Sequence, residues 1–370
     1  MDEHGPLTPR GGHGLVGCGD SIHADDSPRR TLADPRRVIG PPTVGIRLPN
    51  SGPLASASAI LETARLSESL GFDSVWVHDH LAWPSHRRTH FAAGSIEAVR
   101  DQPPNFFESL SVLAVLAGAT RRVRLGTSGL VLPWRDPRVL AKQLATIHEM
   151  SGGRVVAGLA IGRFEDEFEA QQVPYRQRGR ITDEHLACLA EILGPSPETT
   201  FQGARVQVTG AEYFPKPRDF PIWICGMSTQ AHQRIVRFGR GWLPGPLTPE
   251  EYGAAARELA DRLAEAGRAP GEITWGLEIF TTLAPTDAEA QAIARRSLEH
   301  QWGDADTGVA RTLVGSPATI ASRMQEYAAA GVTHFEVKFI CHDLEMMHGM
   351  IRAYAEDVVP RLAGRSVRHA

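Results

Sequence analysis

Cysteine is scarce in this chain of 370 residues: the four present, Cys18, Cys188, Cys225 and Cys341, lie far apart and form no C-x-x-C pair. That spacing counts against a disulfide framework or a zinc knuckle and fits a reducing cytoplasm. Charge of one sign is lacking too. The 39 Lys and Arg are nearly balanced by 43 Asp and Glu, for a formal net charge of −4, so neither a basic stripe for nucleic acid nor an acidic tail is present. No apolar run approaches the length of a membrane span. These absences leave a small-molecule substrate as the expected partner, with no nucleic acid and no membrane.

What is there first is an N-terminal stretch of about forty residues rich in Gly, Pro, Asp, His and Arg. It has no apolar h-region and too many acids for an arginine-bearing targeting peptide, so residues 1–42 read as a disordered extension and 364–370 as a short tail.

Between them the chain repeats one step. At Ser151-Gly152-Gly153-Arg154 a helical pattern ends on two glycines, and Val155-Val156-Ala157-Gly158-Leu159 follows as a short β run closing on a loop at Ala160-Ile161-Gly162. The same order recurs at Ser74–Val77 and Val123–Thr127, each run preceded by helical periodicity. Strands are expected at Val44–Leu48, Ser74–Val77, Val123–Leu130, Arg154–Leu159, Ile222–Cys225, Gly241–Leu243, Thr274–Thr282 and Phe335–Phe339. Helices are expected over Ser56–Leu70, Phe107–Ala119, Pro137–Met150, Thr182–Leu193, after Gly226, and over Pro249–Ala266, Asp287–Glu299, Pro317–Ala330 and Asp343–Leu362. A hairpin insertion is expected at Phe201–Val208, and the long connection Asp79–Asn105 reads as a lid or substrate-facing excursion. Eight strands alternating with helices over residues 43–363 predict an α/β (β/α)8 TIM barrel with insertions.

Several segments in this order resemble the bacterial-luciferase-like family of flavin and deazaflavin oxidoreductases. They are Leu70–Val77 with Asp79-His80-Leu81, Leu125-Gly126-Thr127, and Asp136–Lys142 running into Ser151–Arg154. They continue with Glu167-Phe168 followed by Arg178-Gly179-Arg180 and Asp183-Glu184, then Pro221-Ile222-Trp223 with Gly226 and Gly241–Pro244. The order is most similar to the branch that uses coenzyme F420. The resemblance implies a deazaflavin over the C-terminal ends of the strands, hydride transfer to or from a small organic substrate, and a homodimer. The alternative is an FMN-dependent monooxygenase, and a non-catalytic barrel is a third reading.

The resemblance also implies site residues. Asp79 and His80, just past the second strand, match the pair beside the reactive ring, with the histidine as acid or base. Thr127 and Ser128 fall where family members carry a bulge or unusual peptide under the ring, although they also read as a plain buried β pair. Gly158, Ile161 and Gly162 would lie beneath it. Gly226-Met227-Ser228, opening a helix, could bind the cofactor phosphate through backbone N–H groups or could be an ordinary N-cap. Trp83, Trp134 and the His86–His90 segment could wall the substrate, with Trp83 as a candidate catalytic residue. Lys338 could face the cofactor tail or be a solvated strand end. Some sugar-oxidising relatives have a catalytic glutamate close to the loop at Ala160-Ile161-Gly162, whereas this chain puts Arg163 beside Gly162, which disfavours sugar-phosphate oxidation. Glu165, Asp166 and Glu167 read as a solvated helix start. His78-Asp79-His80 also has the H-x-H form of metal-dependent barrel hydrolases, but no further ligand stands at the ends of the fourth and fifth strands, so no metal is expected.

Overall fold

The alternating pattern becomes a closed ring of parallel strands in a computed structural model of the chain, which describes residues 40–82 and 105–363. The strands of the ring are β1 (Thr43–Arg47), β2 (Ser74–Val77), β3 (Arg124–Thr127), β4 (Val155–Ala160), β5 (Ile222–Cys225), β6 (Gly241–Leu243), β7 (Thr274–Leu283) and β8 (His334–Phe339). Each pairs in parallel with the next, and β8 returns to β1 with Val337 opposite Ile46. The barrel expected from the sequence is therefore present. Residues 1–39, 83–104 and 364–370 lie outside the described residues, and with them Trp83, His86, His90 and all but the last three residues of the expected extension.

The helices between strands are α1 (Ala57–Ser69), α2 (Ser109–Ala119), α3 (Pro137–Met150), α4 (Glu165–Ala170), α5 (Arg178–Leu193), α6 (Thr229–Phe238) and α7 (Pro249–Glu265). After β7 come α8 (Asp287–Trp302), α9 (Ala305–Ala310) and α10 (Pro317–Ala329), and after β8 comes α11 (Leu344–Ala353). Their starts are chemically marked. Ser56, Asp136 and Ser316 accept hydrogen bonds from first-turn N–H groups, with proline next in line at Pro137 and Pro317, while Thr248 with Glu251 and Thr286 with Glu289 form capping boxes. Among the described residues no helix is long and apolar enough to cross a membrane.

The structure departs from the sequence expectation in four places. The third strand does not run through to Leu130: it ends at Thr127, Ser128 turns inward to bond Glu336, and pairing with β4 resumes at Leu130-Val131, on the side away from β5. Between the two helices expected after β7 the segment holds two further elements: Gly303 at φ +86° ends α8, and α9 and a short strand Leu313–Gly315 follow. That strand extends the sheet by pairing with Thr281–Leu283. The expected helix Asp343–Leu362 is broken by a π turn at Tyr354–Val358, since Pro360 has no N–H and its ring crowds the carbonyl one turn back. The hairpin insertion is longer than expected, Glu198–Gln202 against Gln207–Glu212.

The barrel interior holds two tryptophans. Trp76 from β2 and Trp223 from β5 lie with ring centroids 5.2 Å apart, and the His334 ring sits 5.5 Å and 5.4 Å from them. Room for these rings comes from glycines on facing strands. A Cβ at Gly126 would fall 2.2 Å from the Trp76 ring, one at Gly45 2.4 Å from its Nε1, and one at Gly241 2.6 Å from the Trp223 ring. The outer faces of the strands pack on the helices through one continuous apolar core, while the segment after β7 has a small core of its own around Ala290, Ala294, Leu298 and Val314.

Two outcomes are expected. Gly126→Ala should destabilise the fold by about 1–3 kcal/mol in denaturant titration, because the added methyl meets a ring that cannot retreat. Gly118→Ala, on the exposed side of α2 with open space around it, should be neutral or slightly stabilising. The second concerns acid. Burial holds His334 down to about 3, from an ordinary value of 6.5, so below about pH 6.5 the unfolded chain takes up a proton that the folded one refuses until near pH 3. Stability is then complete above pH 6.5 and is lost progressively as pH falls toward 3. His148, His185 and His232, also lowered by burial, act in the same direction. Thermal unfolding midpoints should follow that window, with a shallower fall in His334→Gln.

Candidate active site

Above the tryptophan layer, alternate residues of the strands line a cavity of about 430 Å³ at the C-terminal mouth of the barrel, within the range for small organic ligands. The alternation is what places them there, since positions two apart on a strand share a face. The first side of the wall contains His80, Glu167, Ile161, Gly162 and Phe164. The His80 Nδ1 lies 2.8 Å from Glu167 Oε1, and Glu167 itself is buried in the first turn of α4. Such a carboxylate fixes the ring's tautomer and orientation. The expectation of a solvated helix start therefore fails at Glu167: Phe168 beside it packs into the interior and carries the carboxylate in with it.

Asp79, expected beside the reactive centre, is occupied with the scaffold. It is 3% exposed, and its two oxygens accept from Ser109 Oγ, the Val131 N–H and both Nη atoms of Arg135. The bidentate Arg135 pair at 2.7 Å and 2.8 Å pins the end of β2, and so the backbone that carries His80. His78 is likewise engaged, with Nε2 2.5 Å from Ser51 Oγ, and burial, then the charges of Arg47 and Lys338, hold it well below the ordinary histidine value. Among the described residues no three His, Cys, Asp or Glu side chains group as a metal site, so the H-x-H reading finds no ligand set there.

The opposite side of the cavity carries charges of which the sequence reading named only Lys338. Arg47 on β1 bonds Glu336 on β8 and lies 3.1 Å from Glu278 on β7, and Ser128 donates to the same Glu336 at 2.8 Å. Burial raises Glu336 against the pull of Arg47, whereas the two glutamates overcome burial and raise Arg47. Lys338, two residues beyond Glu336, is in the wall rather than at a solvated strand end. Burial and the Arg47 charge bring it down to about 8. The signal for this cluster was legible: Arg47, Glu278, Glu336 and Lys338 interrupt otherwise apolar parallel strands, at positions that share the inward face.

Of the remaining expected residues, Ser128, Gly162, Ile161 and Gly226 are in the cavity wall, and the peptide Ser128-Gly129 is cis. Thr127 and Gly158 are not. The Thr127 hydroxyl donates to Gly158 O at 2.9 Å, and a Cβ at Gly158 would lie 2.0 Å from Thr127 O, so this pair sets how closely β3 and β4 approach. Met227 and Ser228 also lie outside the wall; Met227 is exposed and Ser228 caps α6 by accepting from Ala231 N. Trp134 packs edge-on against Phe168, behind the cavity.

Two buried wall residues carry an atom with no hydrogen-bond partner among the described residues, Glu167 Oε2 and Arg47 Nη2, the latter close to Glu278 but poorly angled toward it, and Glu336 Oε2 behind the wall is in the same condition. Such atoms are uncommon in folded proteins and are typically met by a ligand or water. A deazaflavin or flavin ring, which presents donors and acceptors along one edge, fits that mixed set.

Comparison with known proteins agrees with this geometry. Residues 41–334 match the model of a family described as luciferase-like monooxygenase. A 5,10-methylenetetrahydromethanopterin reductase of Methanolobus tindarius is 27% identical over 68% of this chain and 69% of its own length. An F420-dependent glucose-6-phosphate dehydrogenase of Microbacterium testaceum is 26% identical over 83% of this chain and 94% of its own. Among solved structures, an F420-dependent secondary alcohol dehydrogenase in complex with an F420-acetone adduct superposes with a TM-score of 0.73 at 18% identity, over 87% of this chain and 99% of that one. The last likeness speaks to fold alone.

The site yields a prediction of its own. Because Asp79 and Arg135 form a buried bidentate pair, Arg135→Met should cost about 3–5 kcal/mol by leaving the carboxylate uncompensated. Urea titration of the variant checks this; a loss below about 1 kcal/mol would mean that the pair does not hold the strand end.

Proposed function

This chain belongs to the luciferase-like monooxygenase family, an oxidoreductase family with F420-dependent members, and from that premise we propose that it transfers hydride between coenzyme F420 and a small organic substrate. The observation that carries the reading is the His80–Glu167 pair in the wall of the mouth cavity. A bound deazaflavin would supply two-electron hydride chemistry without ready activation of oxygen. The protein's own part is positional and protonic. When an alcohol loses hydride from carbon, its O–H proton must leave in step, and His80 Nε2 accepts it while Glu167 stabilises the imidazolium that results; in the reductive direction the same proton returns. Ser128, Gly129, Ile161, Gly162 and Gly226 would shape the bed for the ring, and the N–H groups that open α6 beyond Gly226 would meet the cofactor phosphate.

The family's description as monooxygenases favours a second reading, FMN-dependent oxygenation. Fluorescence titration of the purified protein with F420 and with FMN separates the two: tighter binding of F420 is expected, and a clear preference for FMN would overturn the assignment. His80→Ala should lower turnover by about 10²–10⁴-fold, the usual contribution of a positioned acid or base, with F420 affinity little changed. Glu167→Gln should lower it less, since the ring stays hydrogen-bonded but loses the charge that stabilises its protonated form. Full turnover in the His80 variant would remove it from the mechanism.

A further inference from the structure

Beside the His80 wall, the cavity has a second wall built by β8 and by the segment between β7 and α10. Phe280 on β7 meets the Trp302 ring edge-on at 5.5 Å, and the Lys338 amine sits 4.5 Å from the centre of the Phe280 ring. Gln301 and Ile340 complete this side. Arg47, the neighbouring cation, is committed to Glu278 and Glu336. Lys338 is not committed: among the described residues its amine makes no hydrogen bond and no ion pair. A mostly buried ammonium that lies over an aromatic face without a hydrogen bond or ion pair lacks the partner that buried charges normally have.

We propose that this wall is a substrate subsite for a small organic acid, whose carboxylate is held by Lys338 and whose apolar body lies against Phe280 and Trp302. The proposal rests on the oxidoreductase reading and names the substrate class of that site. The chemistry of the wall decides for a carboxylate. One uncommitted ammonium supplies the single positive charge that a carboxylate needs, whereas a doubly charged phosphate would be left half neutralised, because the neighbouring Arg47 is already paired with Glu278 and Glu336. The apolar surface around the amine then selects an aromatic or branched body over a polyol. Subsite and proton-handling pair line the same cavity, so a hydroxy or keto acid held at Lys338 has its reacting carbon within the space that His80 also faces.

The charged and titratable groups around Lys338 are Arg47 on β1, His78 after β2, Glu278 on β7 and Glu336 on β8. Through the range around pH 8 Arg47 stays charged and His78 neutral. Lys338, brought down to about 8 by burial and Arg47, is the group that changes, so an anion held by it should bind fully below pH 8 and weaken above.

Benzoate is the probe and benzyl alcohol its uncharged counterpart, each titrated calorimetrically into the full chain. Benzoate binding is expected to weaken roughly ten- to a hundredfold in Lys338→Met, the loss of one charged hydrogen bond. Benzyl alcohol binding should be unchanged, and Lys338→Arg should retain most of the benzoate affinity. In the unmodified protein benzoate should weaken as pH rises through about 8, which tests the proposal even if Lys338→Met fails to fold. Equal benzoate affinity in Lys338→Met, the absence of benzoate binding to the parent, or an affinity indifferent to pH between 7 and 9 (roughly one unit either side of the lysine's value) would each overturn it. F420 titration of the same sample keeps the two readings apart: benzoate bound without F420 leaves the acid subsite standing and removes the deazaflavin reading, and F420 bound without benzoate does the reverse.

Discussion

The architecture depends on two indole rings in the middle of the barrel. Trp76 and Trp223 are large enough to fill the space between facing strands, and they fit because Gly45, Gly126 and Gly241 contribute no side chain there. A barrel interior must be filled at close-packed density, and here most of the filling comes from few residues. The layer above is thereby released from packing duty. Strand positions two residues farther along, Arg47, Ser128, Cys225, Glu278 and Lys338, can be polar and can surround a cavity.

That released layer is electrostatically strained in an ordered way. Burying Arg47 between two glutamates is costly unless each charge is met, and the network meets most of them, through Glu336, Glu278 and Ser128, while leaving one oxygen and one nitrogen without hydrogen bonds. The Asp79–Arg135 pair works differently. Its four accepted hydrogen bonds are complete, which makes it a fastening for the strand end and for the backbone that carries His80.

The fold was largely legible because helix and strand periodicities, caps and glycine stops recur at regular intervals, and these are local signals. The elements missed were those set by distant contacts or steric exclusion: the short strand Leu313–Gly315, which exists only because β7 runs on to receive it, and the π turn imposed by Pro360. The site was legible in part. His80 and the loop at Gly162 followed from family likeness, but Asp79 was assigned to chemistry without its structural bonds, since sequence cannot show that Arg135 and Ser109 will saturate it. Glu167 was taken for a solvated charge because a Glu-Asp-Glu run looks the same whether or not one of its members turns inward. The charges on β1, β7 and β8 were readable as anomalies in apolar strands, yet only the closed ring brings Arg47 from one end of the sequence to Glu336 near the other.

The small core around Ala290, Ala294, Leu298 and Val314 is separate from the main one, and it meets the barrel through Phe280, Ile340 and the pairing of Leu313–Gly315 with β7. Sites that share few contacts have nearly additive effects on stability. Substitutions that reshape Trp302 or Gln301 are therefore largely insulated from the tryptophan-filled interior. In evolutionary terms the appended segment is a replaceable cartridge: its sequence can drift and the cavity side it builds can change shape, while the ring beneath keeps its margin of stability and its His80–Glu167 hydrogen bond.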